Sequence, residues 1–279
     1  MTEPTLYPEG GFRRLRIDLA YDGTNFSGWA IQPDRRTVQE VVETALSTVA
    51  QSAAQTIVAG RTDAGVHATG QVIHVDLPDT VFSDDFSYGD LRYKLNRILD
   101  EDVRVMEISD APEGFHARFS ALRRIYTYKI LDANEVIPPL SRYDVAPWYR
   151  PLDADLMNKA SARVLGHHDF AAFCKFKEGG TTLRTLEKYQ WHRDETGLLV
   201  AEVVADAFCY SMVRNLVGAV VCVADGRKDP SWMAELLANK ERVSDSLVFP
   251  ARGLSLTRVD YPSEQEMVDR AKLTIGKRG

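Results

Sequence analysis

The string Gly60-Arg61-Thr62-Asp63-Ala64-Gly65-Val66-His67-Ala68 is the densest grouping of chemistry-bearing residues in the chain. Two glycines flank an Arg-Thr-Asp triplet between two apolar stretches. The pattern predicts a loop that holds a carboxylate at a strand end, with Arg61 close enough to favour the ionised form of Asp63. A carboxylate kept anionic serves as nucleophile or base. A lone Asp-Ala-Gly is an ordinary turn; the whole nine-residue string is not. A second candidate stretch, Gly114 to Leu131, carries Arg118, Arg123, Arg124 and Lys129 without an acid, interleaved with Phe115, Phe119, Tyr126 and Tyr128. Basic residues alternating with aromatics hold phosphate and stack bases. By composition alone the same stretch also reads as a solvated strand with its aromatic face in a core. The third candidate is Arg214, within a segment from Phe208 to Ala224 that is apolar nearly all round. A helix there would bury Arg214, and a buried guanidinium requires a carboxylate partner.

The elements that must position these residues are legible from periodicity. Arg14 to Tyr21 alternates, with Leu15, Ile17, Leu19 and Tyr21 facing a core and Arg14, Arg16 and Asp18 facing away. It runs into the turn signal Asp22-Gly23-Thr24. Thr37-Val38-Gln39-Glu40 reads as a capping box opening a helix. A short strand over Thr56 to Ala59, the loop Gly60 to Gly70 and a strand over Gln71 to Leu77 follow. A helix marked by Leu91, Leu95, Ile98 and Leu99 and a strand from Val103 to Ile108 close this half. Beyond it we expect a strand from Ala117 to Leu131, broken near Ser120, and a helix from Asp153 to Leu165. Strands follow over Leu186 to Arg193 and Leu198 to Ala205, then the Phe208–Ala224 helix. Another helix has Pro230 at its first position, and a last strand covers Leu254 to Tyr261. The fold class is α+β, in two domains, 1–113 and 114–279.

Composition sets the outer limits. The chain has 279 residues, 44% hydrophobic and 27% charged, the balance of a soluble globular protein. The longest apolar run, Leu216 to Ala224, is half what a membrane helix needs, and the N-terminus has no secretory h-region. The expected location is the cytoplasm, with no membrane partner. Cys174, Cys209 and Cys222 are scattered among apolar neighbours and read as buried free thiols. His167-His168 lacks the spacing of a metal pair, so no metal site is expected. The net charge of −6 is set against nucleic-acid binding, but its distribution is uneven. Asp79 to Glu113 holds ten acids and four bases, and the basic aromatic stretch follows directly.

The Gly60–Ala68 string resembles the active-site motif of the TruA family of tRNA pseudouridine synthases, whose Asp is catalytic. Five further stretches resemble that family in order: Tyr21-Asp22-Gly23-Thr24-Asn25-Phe26-Ser27-Gly28-Trp29; Phe115 to Ala121 with Arg124-Ile125-Tyr126-Thr127-Tyr128; Gly166 to Phe173; Ala207 to Asn215; and Pro250 to Leu254. Together they span roughly residues 12 to 262. The resemblance implies the pseudouridine synthase fold, two α+β domains with mixed or antiparallel sheets meeting at an active-site cleft. It implies isomerisation of uridine to pseudouridine at positions 38 to 40 of the tRNA anticodon stem-loop, by a homodimer, with the target base flipped out. Asp63 is then the catalytic nucleophile. Tyr126 matches the family's active-site tyrosine, which stacks on the uracil. Arg61 matches the arginine beside the Asp, and Arg214 the arginine that pairs with it. The reaction is redox-neutral and consumes no water, so no cofactor is expected. One departure is Gly28-Trp29-Ala30-Ile31-Gln32 where the family often has Gly-Trp-Gln, which implies a loop of different shape. RNA would be held by local basic patches: Arg13/Arg14/Arg16, Arg35/Arg36, Arg118 to Lys129 and Lys272/Lys277/Arg278.

Two other readings compete. Asp22-Gly23-Thr24 after a strand suggests phosphoryl transfer of the haloacid-dehalogenase kind, but Ala20 stands where that chemistry places its nucleophilic Asp. A non-catalytic RNA-binding module accounts for Arg124 and Tyr126 and leaves Arg61, Asp63 and Arg214 without a purpose.

Overall fold

The computed structural model describes residues 5–175, 181–240 and 247–276. The chain packs as two units: residues 1–122 with 257–279, and residues 123–256. The sequence reading sets the break at Glu113–Gly114. The structure keeps the following nine residues with the first unit, because residues 257–261 return to hold them. Tyr261 Oη donates to the Ala117 carbonyl at 2.7 Å and the Leu122 amide to the Asp260 carbonyl at 2.8 Å. The rings of Phe115 and Tyr261 lie 4.9 Å apart.

In the first unit, strand β1 (Phe12–Tyr21) is followed by helix α1 (Val38–Ala50), β2 (Thr56–Val58), β3 (His67–Pro78), α2 (Tyr88–Ile98) and β4 (Val103–Asp110). β1 pairs antiparallel with β3 on one side and β4 on the other, and β2 adds to β3. Leu15, Ile17, Leu19 and Tyr21 are buried along one face of β1, and Val42, Ala45 and Leu46 along α1. Thr37 is the N-cap residue of α1 as the sequence suggests, but the capping-box bond is not made. Its hydroxyl is fully buried and finds no partner among the described residues. Strand β3 begins four residues earlier than periodicity indicates, since Ala68 already pairs with Tyr21 of β1.

The other face of β1 is not the solvated one expected. Arg14 is 6% exposed and forms a bidentate pair with Asp76, its Nε and Nη2 donating at 2.7 and 2.8 Å. Its Nη1 also donates to the Phe115 carbonyl at 3.0 Å. The segment from Phe115 covers this face and turns rather than running on as a strand. His116 Nδ1 accepts from the amides of Arg118 and Phe119, and the His116 amide donates to Ser120 Oγ. His74 Nδ1 accepts from the Ala117 amide at 3.0 Å.

The second unit opens with β5 (Arg123–Leu131) and continues with β6 (Ala146–Pro147), α3 (Ala154–Ala162), β7 (Gly166–Asp169), β8 (Leu183–Arg193), β9 (Leu199–Ala205), α4 (Met212–Ala224) and α5 (Trp232–Asn239). Its sheet runs β5-β9-β8-β7, every pair antiparallel, with β6 parallel to β5. Asp153 caps α3 by accepting from the amides of Asp155 and Leu156. Helix α4 starts four residues later than expected, because Ser211 adopts a left-handed conformation (φ 61°) and ends a loop. Cys209 of that loop is joined in a disulfide to Cys174, Cα atoms 5.8 Å apart, and Cys222 is a buried thiol. The expectation of three free thiols therefore fails for two of them. Asp229, not Pro230 at the first helical position, prepares α5, accepting from the Ser231 amide. The chain ends with β10 (Leu254–Asp260), which passes from the second unit back to the first, and α6 (Glu264–Gly276). Among the described residues no helix is long and apolar enough to cross a membrane.

The buried imidazoles make the first unit acid-sensitive. Burial, aided by Arg14, holds His74 well below the usual imidazole range and pushes His116 down to about 4. Both are neutral when folded and protonate more readily when unfolded. Stability is therefore complete above about pH 6.5 and falls as pH drops toward 4; by pH 5, His116 alone costs on the order of 2 kcal/mol. Urea midpoints measured from pH 7.5 to 4.5 should fall accordingly. His116→Asn, whose amide oxygen still accepts from Arg118 and Phe119, should flatten that slope.

Candidate active site

The residues that could do chemistry divide between the units. Arg61 and Asp63 belong to the first, on the loop between β2 and β3. Tyr126 on β5 and Arg214 on α4 belong to the second.

The Asp63 loop is held by backbone rather than by a core of its own. The Ala59 amide donates to the Val72 carbonyl at 2.9 Å, the Trp29 amide to the Thr62 carbonyl at 3.0 Å and the Gly65 amide to the Phe26 carbonyl at 3.2 Å. A tight turn closes where the Val66 amide donates to the Asp63 carbonyl at 3.1 Å. Thr62 is buried, Asp63 is half-buried and Arg61 is exposed. The loop thus fixes its threonine inward and presents the next side chain, the carboxylate, outward.

The first-strand signature turns out to be the cradle of this loop. Past β1 the chain makes a single 3₁₀ turn over Gly23–Asn25, capped by Asp22, which accepts from the Thr24 amide and hydroxyl. A side chain at Gly23 would drive its Cβ into the Val66 carbonyl. At Gly28, φ is +95° and a Cβ would lie 2.9 Å from the Thr62 carbonyl oxygen. Both glycines are needed because two backbones meet there without side chains between them. The Gly23 amide also donates to His67 Nδ1 at 3.0 Å, tying the turn to the start of β3. Arg36 clamps it from outside. Its guanidinium lies 4.0 Å from the centre of the Phe26 ring and pairs with Asp100 and Asp102.

Asp22 therefore has a structural duty. Burial would raise its pKa, but Thr24's bonds and the nearby His67 outweigh that and hold it below the usual carboxylate range. Nothing in this turn resembles a phosphoryl-transfer site.

In the second unit Tyr126 is buried at 6% exposure, its ring edge-on to Phe208 with centroids 5.1 Å apart. Arg214 is the single residue of α4 that is not buried. The prediction of a fully buried guanidinium is thus corrected to a half-buried one, whose Nε donates to the Phe249 carbonyl at 2.8 Å. Gly253 packs without a side chain against the Tyr128 ring and the Lys129 carbonyl, which accounts for a glycine in Pro250–Leu254.

Two residues of the first unit escaped the sequence reading as positioning groups of this site. Gln71, fully buried, donates from Nε2 to the Gly60 carbonyl at 2.8 Å and to Tyr21 Oη at 3.1 Å. Tyr21 Oη lies 2.8 Å from Thr62 Oγ1. The signal was present in the register. Gln71 shares parity with inward-facing Ile73, Val75 and Leu77, and Tyr21 with Leu15, Ile17 and Leu19, so each polar group was directed into a core.

The family model for tRNA pseudouridine synthase matches residues 19–120 and 160–262. Proteins called tRNA pseudouridine synthase A are similar over almost the whole chain. The one from Frankia casuarinae is 52% identical over 265 residues, 95% of this chain and 95% of that protein. That from Streptomyces griseus is 51% identical, covering 94% and 93%, and that from Mycobacterium leprae 47% identical, covering 94% of each. The chain belongs to the tRNA pseudouridine synthase A family. It is therefore an isomerase acting on uridine in tRNA, with the pseudouridine synthase fold. The first matched segment of this synthase contains Arg61 and Asp63 together with the glycine cradle, and the second contains Arg214.

Replacing either buried cradle glycine should damage the synthase more than its place in a loop suggests. Gly23→Ala forces backbone apart from backbone, and Gly28→Ala adds strain at positive φ, each at about 2–4 kcal/mol. Thermal melts should shift down by several degrees, with turnover lost at temperatures where the protein remains folded.

Proposed function

We propose that the enzyme converts uridine to pseudouridine at positions 38 to 40 of the tRNA anticodon stem-loop, with Asp63 as the nucleophile on a flipped-out nucleotide. The observation that carries this reading is the presentation of Asp63. Its loop is pinned on both sides by main-chain bonds, and its side chain is the half-buried one next to a buried threonine. A nucleophile must be held within a fraction of an ångström of its target, and a stapled loop does that.

In the reaction the N1–C1′ bond breaks, the uracil turns, and C5 bonds to C1′. The C5 proton leaves and N1 ends protonated, so atoms balance with no redox partner and no water consumed. That stoichiometry supports a reaction without cofactor or metal. Asp63 attacks the nucleoside, Tyr126 stacks on the uracil and helps remove the C5 proton, Arg61 holds the displaced base, and Arg214 pairs with the carboxylate. A stacked uridine is unreachable by these side chains, which supports extrusion of the base. A tRNA substrate supports a cytoplasmic location.

The basic patches read from the sequence are narrower in the fold. Arg14 pairs with Asp76, Arg16 with Asp18, Arg36 with Asp100 and Asp102, and Lys129 with Asp144, while Arg124 is buried and donates to the Asp206 carbonyl. Arg13, Arg35, Arg118 and Lys272 are exposed, and Lys277 and Arg278 lie outside the described residues. Patches this reduced, on a chain of net charge −6, support a homodimer, in which one tRNA draws on patches from both subunits.

The decisive assay incubates the purified enzyme, with chelator and no nucleotide, on tRNA tritiated at uracil C5. The wild type should release tritium from the anticodon arm; Asp63→Asn should bind tRNA with unchanged affinity and release none. Turnover by Asp63→Asn, or release confined to other regions of the tRNA, would refute the proposal. Binding should also weaken by on the order of tenfold or more between about 50 and 200 mM salt, as counterions are released from a few phosphate contacts.

A further inference from the structure

We propose that Tyr21 is a positioning residue for catalysis, and that Gln71, Tyr21 and Thr62 form a buried hydrogen-bond relay that sets the direction of the Asp63 side chain. This rests on the reading of Asp63 as the nucleophile and extends it to groups that never touch substrate.

The relay has one direction. Gln71 Oε1 accepts from the Val72 amide at 3.2 Å, which fixes the flip of the side-chain amide. Its Nε2 then donates to the Gly60 carbonyl and to Tyr21 Oη. With Tyr21 Oη already accepting, its own proton is directed at Thr62 Oγ1, 2.8 Å away. Thr62 is held a second time through its carbonyl by the Trp29 amide, and the Tyr21 and Trp29 rings pack at 6.2 Å. Thr62 and the plane of the Thr62–Asp63 peptide are thereby held, while the next two residues are exposed or half-buried. Tyr21 has no acid–base part: burial pushes its phenol up to about 12, so it stays a neutral donor throughout the working range. A relay of this kind, anchored on β1 by Tyr21 and on β3 by Gln71, ties the reactive loop to rigid elements.

The test uses the full-length enzyme, C5-tritiated tRNA and five variants: Tyr21→Phe, Thr62→Val, Thr62→Ser, the double Tyr21→Phe/Thr62→Val, and Asp63→Asn. Tyr21→Phe and Thr62→Val should each lower kcat about tenfold to a hundredfold, the cost of a displaced reacting group. KM for tRNA should stay within about twofold and melting temperature within about 5 °C. Thr62→Ser, which keeps the hydroxyl, should restore most of kcat. The double variant should be no slower than the worse single one, since both remove the same bond. Wild-type kcat in the single variants with an inactive Asp63→Asn would overturn the relay and leave Asp63 as nucleophile. Losses that multiply in the double variant, or that appear as raised KM or lost stability, would overturn it too. An active Asp63→Asn would overturn the nucleophile itself, and the relay with it.

Discussion

Two stretches of main chain meet face to face in the first unit, and the presentation of Asp63 depends on that contact. The turn after β1 touches the loop before β3 through Gly23 and Gly28, at separations that leave no room for a Cβ. Amides of Trp29 and Gly65 cross the seam to the carbonyls of Thr62 and Phe26. Main-chain contacts are stiffer than side-chain contacts because neither partner has rotamers to exchange. The glycine requirement is thus the cost of holding a reactive loop with the least flexible material a protein has.

Charge is arranged around that contact more than toward solvent. Arg36 is typical: read from the sequence it belongs to a surface patch, but it stacks on Phe26 and bridges to Asp100 and Asp102, holding the outside of the turn. Arg14 does the same on the other face of β1, where a bidentate pair with Asp76 lets a sheet face be covered on both sides. In the second unit Arg193 reaches Asp132, which is itself bonded to the Leu152 amide. These carboxylates are therefore spent locally on guanidinium groups, at positions where such pairs fix geometry more than they add stability.

How much of this could be read beforehand follows from the range of the interactions. Alternation along β1 gave the core face correctly, since a period of two is a local property. It misjudged Arg14, because what covers the opposite face arrives from Phe115 and Tyr261, a hundred and more residues downstream. The helix start at Thr37 was legible; the missing cap bond was not, since a fully buried hydroxyl is decided by packing. The strand expected from Ala117 failed because the His116 ring caps its own turn, a side-chain effect invisible to periodicity. The thiols of Cys174 and Cys209 are 35 residues apart and nothing in their local sequence announces that they meet. The Asp63 string stood out because glycines, arginine and carboxylate sit within one short segment. Gln71 and Tyr21 did not, because their significance lies in meeting across two strands.

The route of the last strand sets an order of events during synthesis. Residues from Thr257 onward complete the first unit, laying Tyr261 on Phe115 and placing Val268 against Gly114. A stretch of chain made early is therefore closed by one made more than a hundred residues later. Until Tyr261 has been made, Phe115 lacks the ring that packs on it, and the unit bearing the reactive loop is unfinished. A chain cut short before Tyr261 would leave that apolar ring open, the kind of transiently exposed surface from which association between unfinished chains begins.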